Sequence, residues 1–255
     1  MHIVGIDPAI QTGWSLLEVE NNNIRLREFG TISIPTTFNL SQKLNFIAIE
    51  IRKLMLKYKP DYCAIEDLIL GLSGVKILVF LSRLNGVIIQ AAYDTLKDNV
   101  RIYTPGEWKK NSFPNLNGTA QKWEVQYAVC KYFNLVSQTE YDTWTKMTAD
   151  TQIKFQENQL NLKNKQLEIY ELKKVLVRKK LPDGSNIDEL KNRLESCTLQ
   201  YIDLKKEVKD SKKFFDKELQ KVGNDIHAKT MISSDIADSI GLAVCLAKDL
   251  KLING

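Results

Sequence analysis

Long hydrophobic runs are missing from this chain: nowhere does an unbroken apolar stretch approach the roughly 20 residues of a membrane-spanning helix. The opening residues, Met1 to Asp7, have neither a basic n-region nor a small-residue cleavage site, and read as a strand leading to an acid. The expectation is therefore an intracellular, cytoplasmic protein. Cysteine is sparse: Cys63, Cys130, Cys197 and Cys245 are scattered without CxxC spacing. Three of them lie in apolar or helical runs where a small hydrophobe serves as well, so disulfide and zinc readings carry little weight. Charge of one sign is also weak, at +5 overall. Its location is more informative, because residues 151–222 hold 17 Lys and Arg against 12 Asp and Glu, and the remainder balances. That distribution is compatible with a polyanionic partner.

Proline and glycine punctuate the first 135 residues and almost vanish from the next 90. Residues 2–7 form an apolar strand that Pro8 ends, since proline cannot donate to a sheet ladder. Gly13 to Val19 and Arg25 to Ser33 read as two further strands joined by a turn at Asn21, Asn22 and Asn23. From Ser41, a plausible N-cap, to Tyr58 the apolar residues recur at three and four, the period of a helix. Tyr62 to Glu66 then reads as a short buried strand, Val75 to Leu96 as a helix and Val100 to Tyr103 as a strand. Thr104-Pro105-Gly106 reads as a turn, and Thr119 to Phe133 as an amphipathic helix. The order βββαβαβα is the ribonuclease H-like layout, an α/β fold with a mixed sheet flanked by helices.

Residues 136–227 are rich in Lys, Glu, Gln, Asn and Leu, and before Gly223 their only Pro and Gly fall in Leu181-Pro182-Asp183-Gly184-Ser185. The pattern predicts an inserted antiparallel coiled-coil hairpin with its turn near residues 181–186. On the second arm the seam is Ile187, Leu190, Leu194, Cys197, Tyr201, Leu204, Val208 and Phe215. On the first it is Phe155, Leu162, Ile169 and Leu176, with Leu160 and Leu167 widening the stripe. Residues 1–135 plus 228–255 are then the α/β domain, closed by a helix from about Ser234 to Asp249.

Four acids sit where acids are costly. Asp7 and Glu66 each end an apolar strand, while Asp235 and Asp238 lie one turn apart at the head of an apolar helix. Singly, Asp7 also suits a turn, Glu66 an ion pair and Asp235 an N-cap. Together they would converge in a ribonuclease H-like sheet, giving an oxygen-rich site suited to Mg²⁺ or Mn²⁺. The expected chemistry is two-metal phosphodiester hydrolysis, with the ions roughly 4 Å apart.

At these motifs the sequence resembles the RuvC-type Holliday junction resolvases. Gly5-Ile6-Asp7-Pro8 with Gly13 is similar to their opening motif, Ala64-Ile65-Glu66 to their second, and the run Asp235 to Ala243 to their closing helix. Tyr103 to Lys110 and Gly118 to Gln126 resemble the segment that places junction-binding lysines, and Arg83 to Gly86 the helix after the second acid. The resemblance covers residues 1–135 and 228–250. It implies a homodimer that binds four-way and other branched DNA and makes paired nicks leaving 5′-phosphate ends. Asp7, Glu66, Asp235 and Asp238 would be both catalytic and metal-binding, with two Mg²⁺ ions that Mn²⁺ replaces. Lys109, Lys110, Lys122 and Arg83 would contact the DNA backbone, or else form a solvated lysine face. Ile69 stands where bacterial members carry an aromatic wedge, three residues after the second acid. Compact bacterial members lack the hairpin, so a viral or phage-type relative is the natural home. The hairpin itself reads either as a solvated spacer or dimer contact, or as an arm lying along DNA. Other readings are a nuclease of the same fold acting on flaps or forks, the ribosomal-RNA-processing branch, and a non-catalytic junction-binding adaptor. The lysine segment disfavours the second of these and the four acids disfavour the third.

Overall fold

Strand β1 (His2–Asp7) alternates because a strand turns successive side chains to opposite faces of a sheet. In the computed structural model, which describes residues 1–68, 75–178 and 186–253, that alternation divides the core in two. Ile3 packs into one cluster with Ala64, Trp108 and the last helix, while Val4 and Ile6 pack into another with Leu16, Cys63 and Ile65. The chain continues through β2 (Gln11–Glu20), β3 (Asn23–Ser33), α1 (Leu40–Tyr58), β4 (Tyr62–Glu66) and α2 (Val75–Leu96). There follow β5 (Val100–Tyr103), α3 (Pro105–Ser112), α4 (Lys122–Tyr132), α5 (Gln138–Arg178), α6 (Ile187–Thr230) and α7 (Ser234–Asp249). The sheet order is β3-β2-β1-β4-β5, with β1, β2 and β3 antiparallel and β4 and β5 parallel to β1. That is the ribonuclease H-like arrangement expected from the element order.

Local chemistry sets several boundaries differently from the sequence expectation. Helix α1 starts one residue earlier, because Asn39 and Gln42 cap each other's backbone amides and Ser41 is already inside the helix. It ends at Lys59, which takes a left-handed conformation with φ 44°. Thr104-Pro105-Gly106 is the start of a helix and not merely a turn: Thr104 and Glu107 form a capping box and Pro105 takes the first helical position. Cys63, Cys130, Cys197 and Cys245 are free and buried.

Helix α2 departs from the expectation in another way. The stretch Val75–Asn99 reaches the length and hydropathy of a membrane span. The reason is that α2 is apolar on two faces. Leu84, Ile88, Ala91 and Ala92 are buried against the core, while Val75, Val79 and Tyr93 on the far side are 76%, 43% and 43% exposed. Two apolar faces raise the mean hydropathy, and Lys76 and Arg83 interrupt the run.

The described chain separates into two compact units, Met1–Ser137 with Gly223–Gly255, and Gln138–Val222. In the second, α5 and the greater part of α6 run antiparallel: Arg193 pairs with Glu168 at 3.0 Å, and the rings of Phe155 and Phe215 stack at 5.4 Å. Leu172, Cys197 and Leu219 are buried along this pair. Leu160 and Leu167, expected to widen the seam, are instead 58% and 55% exposed, because they lie on the outer side of α5. Ile187 is also exposed, at the first turn of α6. The hairpin turn expected near 181–186 lies outside the described residues apart from Asn186, whose side chain accepts from the Asp188 amide.

Candidate active site

The period of β1 and β4 decides where their acids point. Ile3, Gly5 and Asp7 share one face of the sheet, and the parallel register sets Gly5 beside Ala64 and Ile6 beside Ile65, so Asp7 and Glu66 end adjacent strands on that same face. Helix α7 crosses this face at backbone contact. A methyl group on Gly5 would stand 1.8 Å from the Ser239 carbonyl oxygen, and one on Gly13 would stand 2.2 Å from that of Asp235. Only glycine permits this approach. Ser233 caps α7 by accepting from the Ile236 amide, which sets where the helix begins, five residues before Asp238.

Asp7, Glu66 and Asp238 thus meet, with one carboxylate oxygen from each within 4.8 Å of the others. Asp7 and Asp238 are 8% and 7% exposed. Burial, then the negative charge of Glu66, holds the Asp7 carboxyl well above its ordinary range. Asp238 is pushed up to about 7 by burial and by Glu66, with Lys109 and Lys122 opposing. Asp238 Oδ1 is buried without a hydrogen-bond donor. Three crowded carboxylates, one with an orphaned oxygen, are the donor set that a hard cation takes up, and they fit a divalent metal ion.

Asp235 stands apart from this trio. Its Oδ1 accepts from Ser234 Oγ at 3.0 Å and lies 3.5 Å from Lys122 Nζ. Attraction to Asp235, Asp238 and Asp7 outweighs partial burial and raises the Lys122 ammonium above its ordinary range. Lys109 Nζ donates to the Ala120 carbonyl at 3.1 Å and sits 5.5 Å from the centre of the Trp108 ring. Lys110 is exposed on α3, and Arg83 is exposed on α2, lining an open cleft of about 550 Å³ with Asp67, Leu68 and Asn85. Ile69 lies outside the described residues. His227 is exposed and is not part of the trio.

Two residues of the site, Trp108 and Asn85, lie inside the segments Tyr103 to Lys110 and Arg83 to Gly86, where the sequence alone gave neither a role. Trp108 is fully buried and its Nε1 donates to Glu66 Oε1 at 3.1 Å. Gly241 makes room for it, since a methyl group there would meet the indole at 2.4 Å. Asn85 Nδ2 donates to the Glu66 carbonyl at 3.3 Å, and its Oδ1 is buried without a partner. Nothing local marks either residue, because both contacts join elements that are distant in sequence.

The family described as "Crossover junction endodeoxyribonuclease RuvC" matches residues 3–148. The chain belongs to the RuvC family. Among relatives, the crossover junction endodeoxyribonuclease RuvC of Finegoldia magna is 33% identical over 132 residues, covering 51% of this chain and 77% of that protein. The Dictyoglomus thermophilum protein of the same name is 29% identical over 136 residues, covering 53% and 84%. Among solved structures, Thermus thermophilus RuvC aligns with TM-score 0.45 at 20% identity over 52% of this chain and 81% of that one. The same protein in complex with a Holliday junction substrate aligns with TM-score 0.46 at 20% identity, over 54% and 82%. The RuvC match ends before α6 and α7. It therefore includes Asp7 and Glu66 but not Asp238, which joins them only through the fold.

Proposed function

We propose that this RuvC-family chain is a crossover junction endodeoxyribonuclease that cuts four-way DNA junctions by metal-dependent hydrolysis, leaving 5′-phosphate ends. The observation that carries the proposal is the meeting of Asp7, Glu66 and Asp238 at one end of the sheet, in a chain whose relatives bear that enzymatic name. Asp7, Glu66 and Asp238 would hold Mg²⁺, or Mn²⁺ in its place, and Asp235 would act one turn earlier on the same helix. When bound there, divalent ions supply the charge that activates water and stabilises the leaving oxygen in phosphodiester hydrolysis.

The chain's own residues prepare that chemistry. Trp108 fixes the Glu66 carboxylate and Asn85 its main chain, so the ligand does not swing away. Burial of Asp7 and Asp238 lowers the dielectric around them and strengthens their attraction for a cation. Lys122 and Lys109, close to the acids, offer positive charge to a backbone phosphate, with Lys110 and Arg83 further out.

The functional unit in this reading is a homodimer, because a four-way junction presents two symmetry-related strands for paired nicks. The far face of α2 supports it. Val75, Val79 and Tyr93 line that face, and Gly86, with open space around its α-carbon, lets a second helix approach closely.

The test is incubation of the purified chain with a synthetic four-way junction and Mg²⁺, beside linear duplex, flap and fork DNA, with Asp7→Asn in parallel. Symmetric nicks on the junction, absent in the variant, are expected. Equal cutting of flaps or forks would keep the chemistry and remove the junction preference. Binding without cutting in either metal would make the chain an adaptor.

A further inference from the structure

Helix α6 has two unlike faces. Val208, Phe215 and Leu219 turn toward α5 and are half-buried or buried. On the opposite side, Lys206, Lys209, Lys213, Lys217 and Lys221 recur at spacings of three and four, so at about 3.6 residues per turn they share one face. All five are exposed. Lys221 pairs with Glu218, and Lys213 stands 3.9 Å from Asp210, while Asp203 and Asp216 lie three residues from Lys206 and Lys213 along the helix. Lys206, Lys209 and Lys217 have no carboxylate within ion-pair range among the described residues. The row ends where Leu199 and Ile202 take over the same face.

We infer that this lysine row binds the phosphate backbone of duplex DNA, giving the inserted unit its own DNA-holding surface. From Lys206 to Lys221 the row is about 22 Å long at 1.5 Å per residue, enough to follow about three to four phosphates of one strand. Five evenly spaced cations on one helix, three of them without an ion-pair partner among the described residues, match a regular polyanion. The face presents no aromatic ladder, only Phe214 at its edge, and so lacks the stacking platform with which proteins hold single strands. Contacts of this kind read no sequence and supply salt-dependent affinity. The row lies within residues 151–222, the stretch that holds the basic excess of the chain.

The inference rests on the proposed action on DNA, so the two are tested apart. Binding of the whole chain to linear duplex and to a four-way junction is measured in EDTA over a salt series, and cutting is measured separately in Mg²⁺. The row variant is Lys206→Gln, Lys209→Gln, Lys213→Gln and Lys217→Gln together. The control replaces Lys146, Lys154, Lys163 and Lys173, scattered around α5, by Gln, for the same change in charge. Glutamine keeps helix propensity, which circular dichroism verifies.

The row variant is expected to lower the slope of log affinity against log salt by about 3 to 4, and to weaken binding at least about tenfold at moderate salt, with little change in the control. An unchanged slope, an equal effect in the control, or no duplex binding by the unaltered chain overturns the inference. Row-dependent duplex binding in a chain that cuts nothing would leave the row standing and remove the nuclease reading. Junction cutting with row-independent binding would do the reverse.

Discussion

Glu66 is held from two sides, by the indole N–H of Trp108 on its carboxylate and by Asn85 on its carbonyl. A buried donor on a metal-binding carboxylate sets the direction of its lone pairs, and losing such an outer partner typically costs about tenfold or more in metal affinity. Trp108→Phe keeps most of the ring volume and removes the donor. The expected result is Mn²⁺ affinity weakened about tenfold by calorimetric titration, with a nearly unchanged melting temperature; equal affinity would reduce Trp108 to packing. Asp238 gives a prediction of opposite character. Its folded-state pKa, about 7, lies above the ordinary 3.8, so the folded chain holds more protons than the unfolded one between those values. Its contribution is therefore fully present below about pH 4 and is lost as pH rises through 7, and Asp7 acts in the same direction. In EDTA the melting temperature should fall from pH 5 to pH 8, and Asp238→Asn should flatten the fall and melt higher than the unaltered chain at pH 8. Parallel curves for the two proteins in scanning calorimetry would contradict this. Saturating Mg²⁺ should remove the difference in slope, since a bound cation takes the place of the proton.

Among the elements, α7 was legible as an apolar helix with two acids at its head, but its seat was not. The spacing of Asp235 and Asp238 puts both on one side of a helix, yet the structure places only Asp238 with Asp7 and Glu66. The rotation and depth of α7 follow from Gly5 and Gly13, which admit its backbone against β1 and β2. Gly5→Ala would force α7 away from the sheet, destabilising the chain by about 1–3 kcal/mol or more, as overpacking of a core does. Urea melts should register that loss, and junction cutting should fall further than the unfolded fraction explains, because Asp238 rides on the displaced helix. Cutting that falls only in step with stability would show that α7 relaxes back. The strands, by contrast, were legible to within two residues, with Asn23 belonging to β3 and not to the turn, since their period, Pro8 and the asparagine turn are local signals.

For the whole molecule, α2 joins the fold to the proposed assembly. Its inner face closes the core, and its outer face is apolar and exposed at Val75, Val79 and Tyr93 among the described residues. Val79→Glu introduces a charge on the outer face alone. Sedimentation should then report a monomer where the unaltered chain is a dimer, and junctions should be nicked once instead of in pairs. A dimer that survives the change would place the interface elsewhere. The first unit holds the acid trio and most of the stretch that matches the RuvC family.

By itself the sequence determined the order of the strands and of every helix but α3, the mixed sheet and the positions of Asp7 and Glu66, because strand period, helix period and turn residues act over a few neighbours. It also marked 136–227 as different in kind, through the scarcity of Pro and Gly and the heptad spacing. The tertiary structure alone decided which of the α7 acids joins the site, since that depends on the rotation of one helix over two glycines. It alone gave Glu66 its partners, because Trp108 and Asn85 reach it across long stretches of chain. It also separated the packed seam of α6 from the lysine row behind it, because a repeat of apolar residues does not say which of its members will find a neighbour.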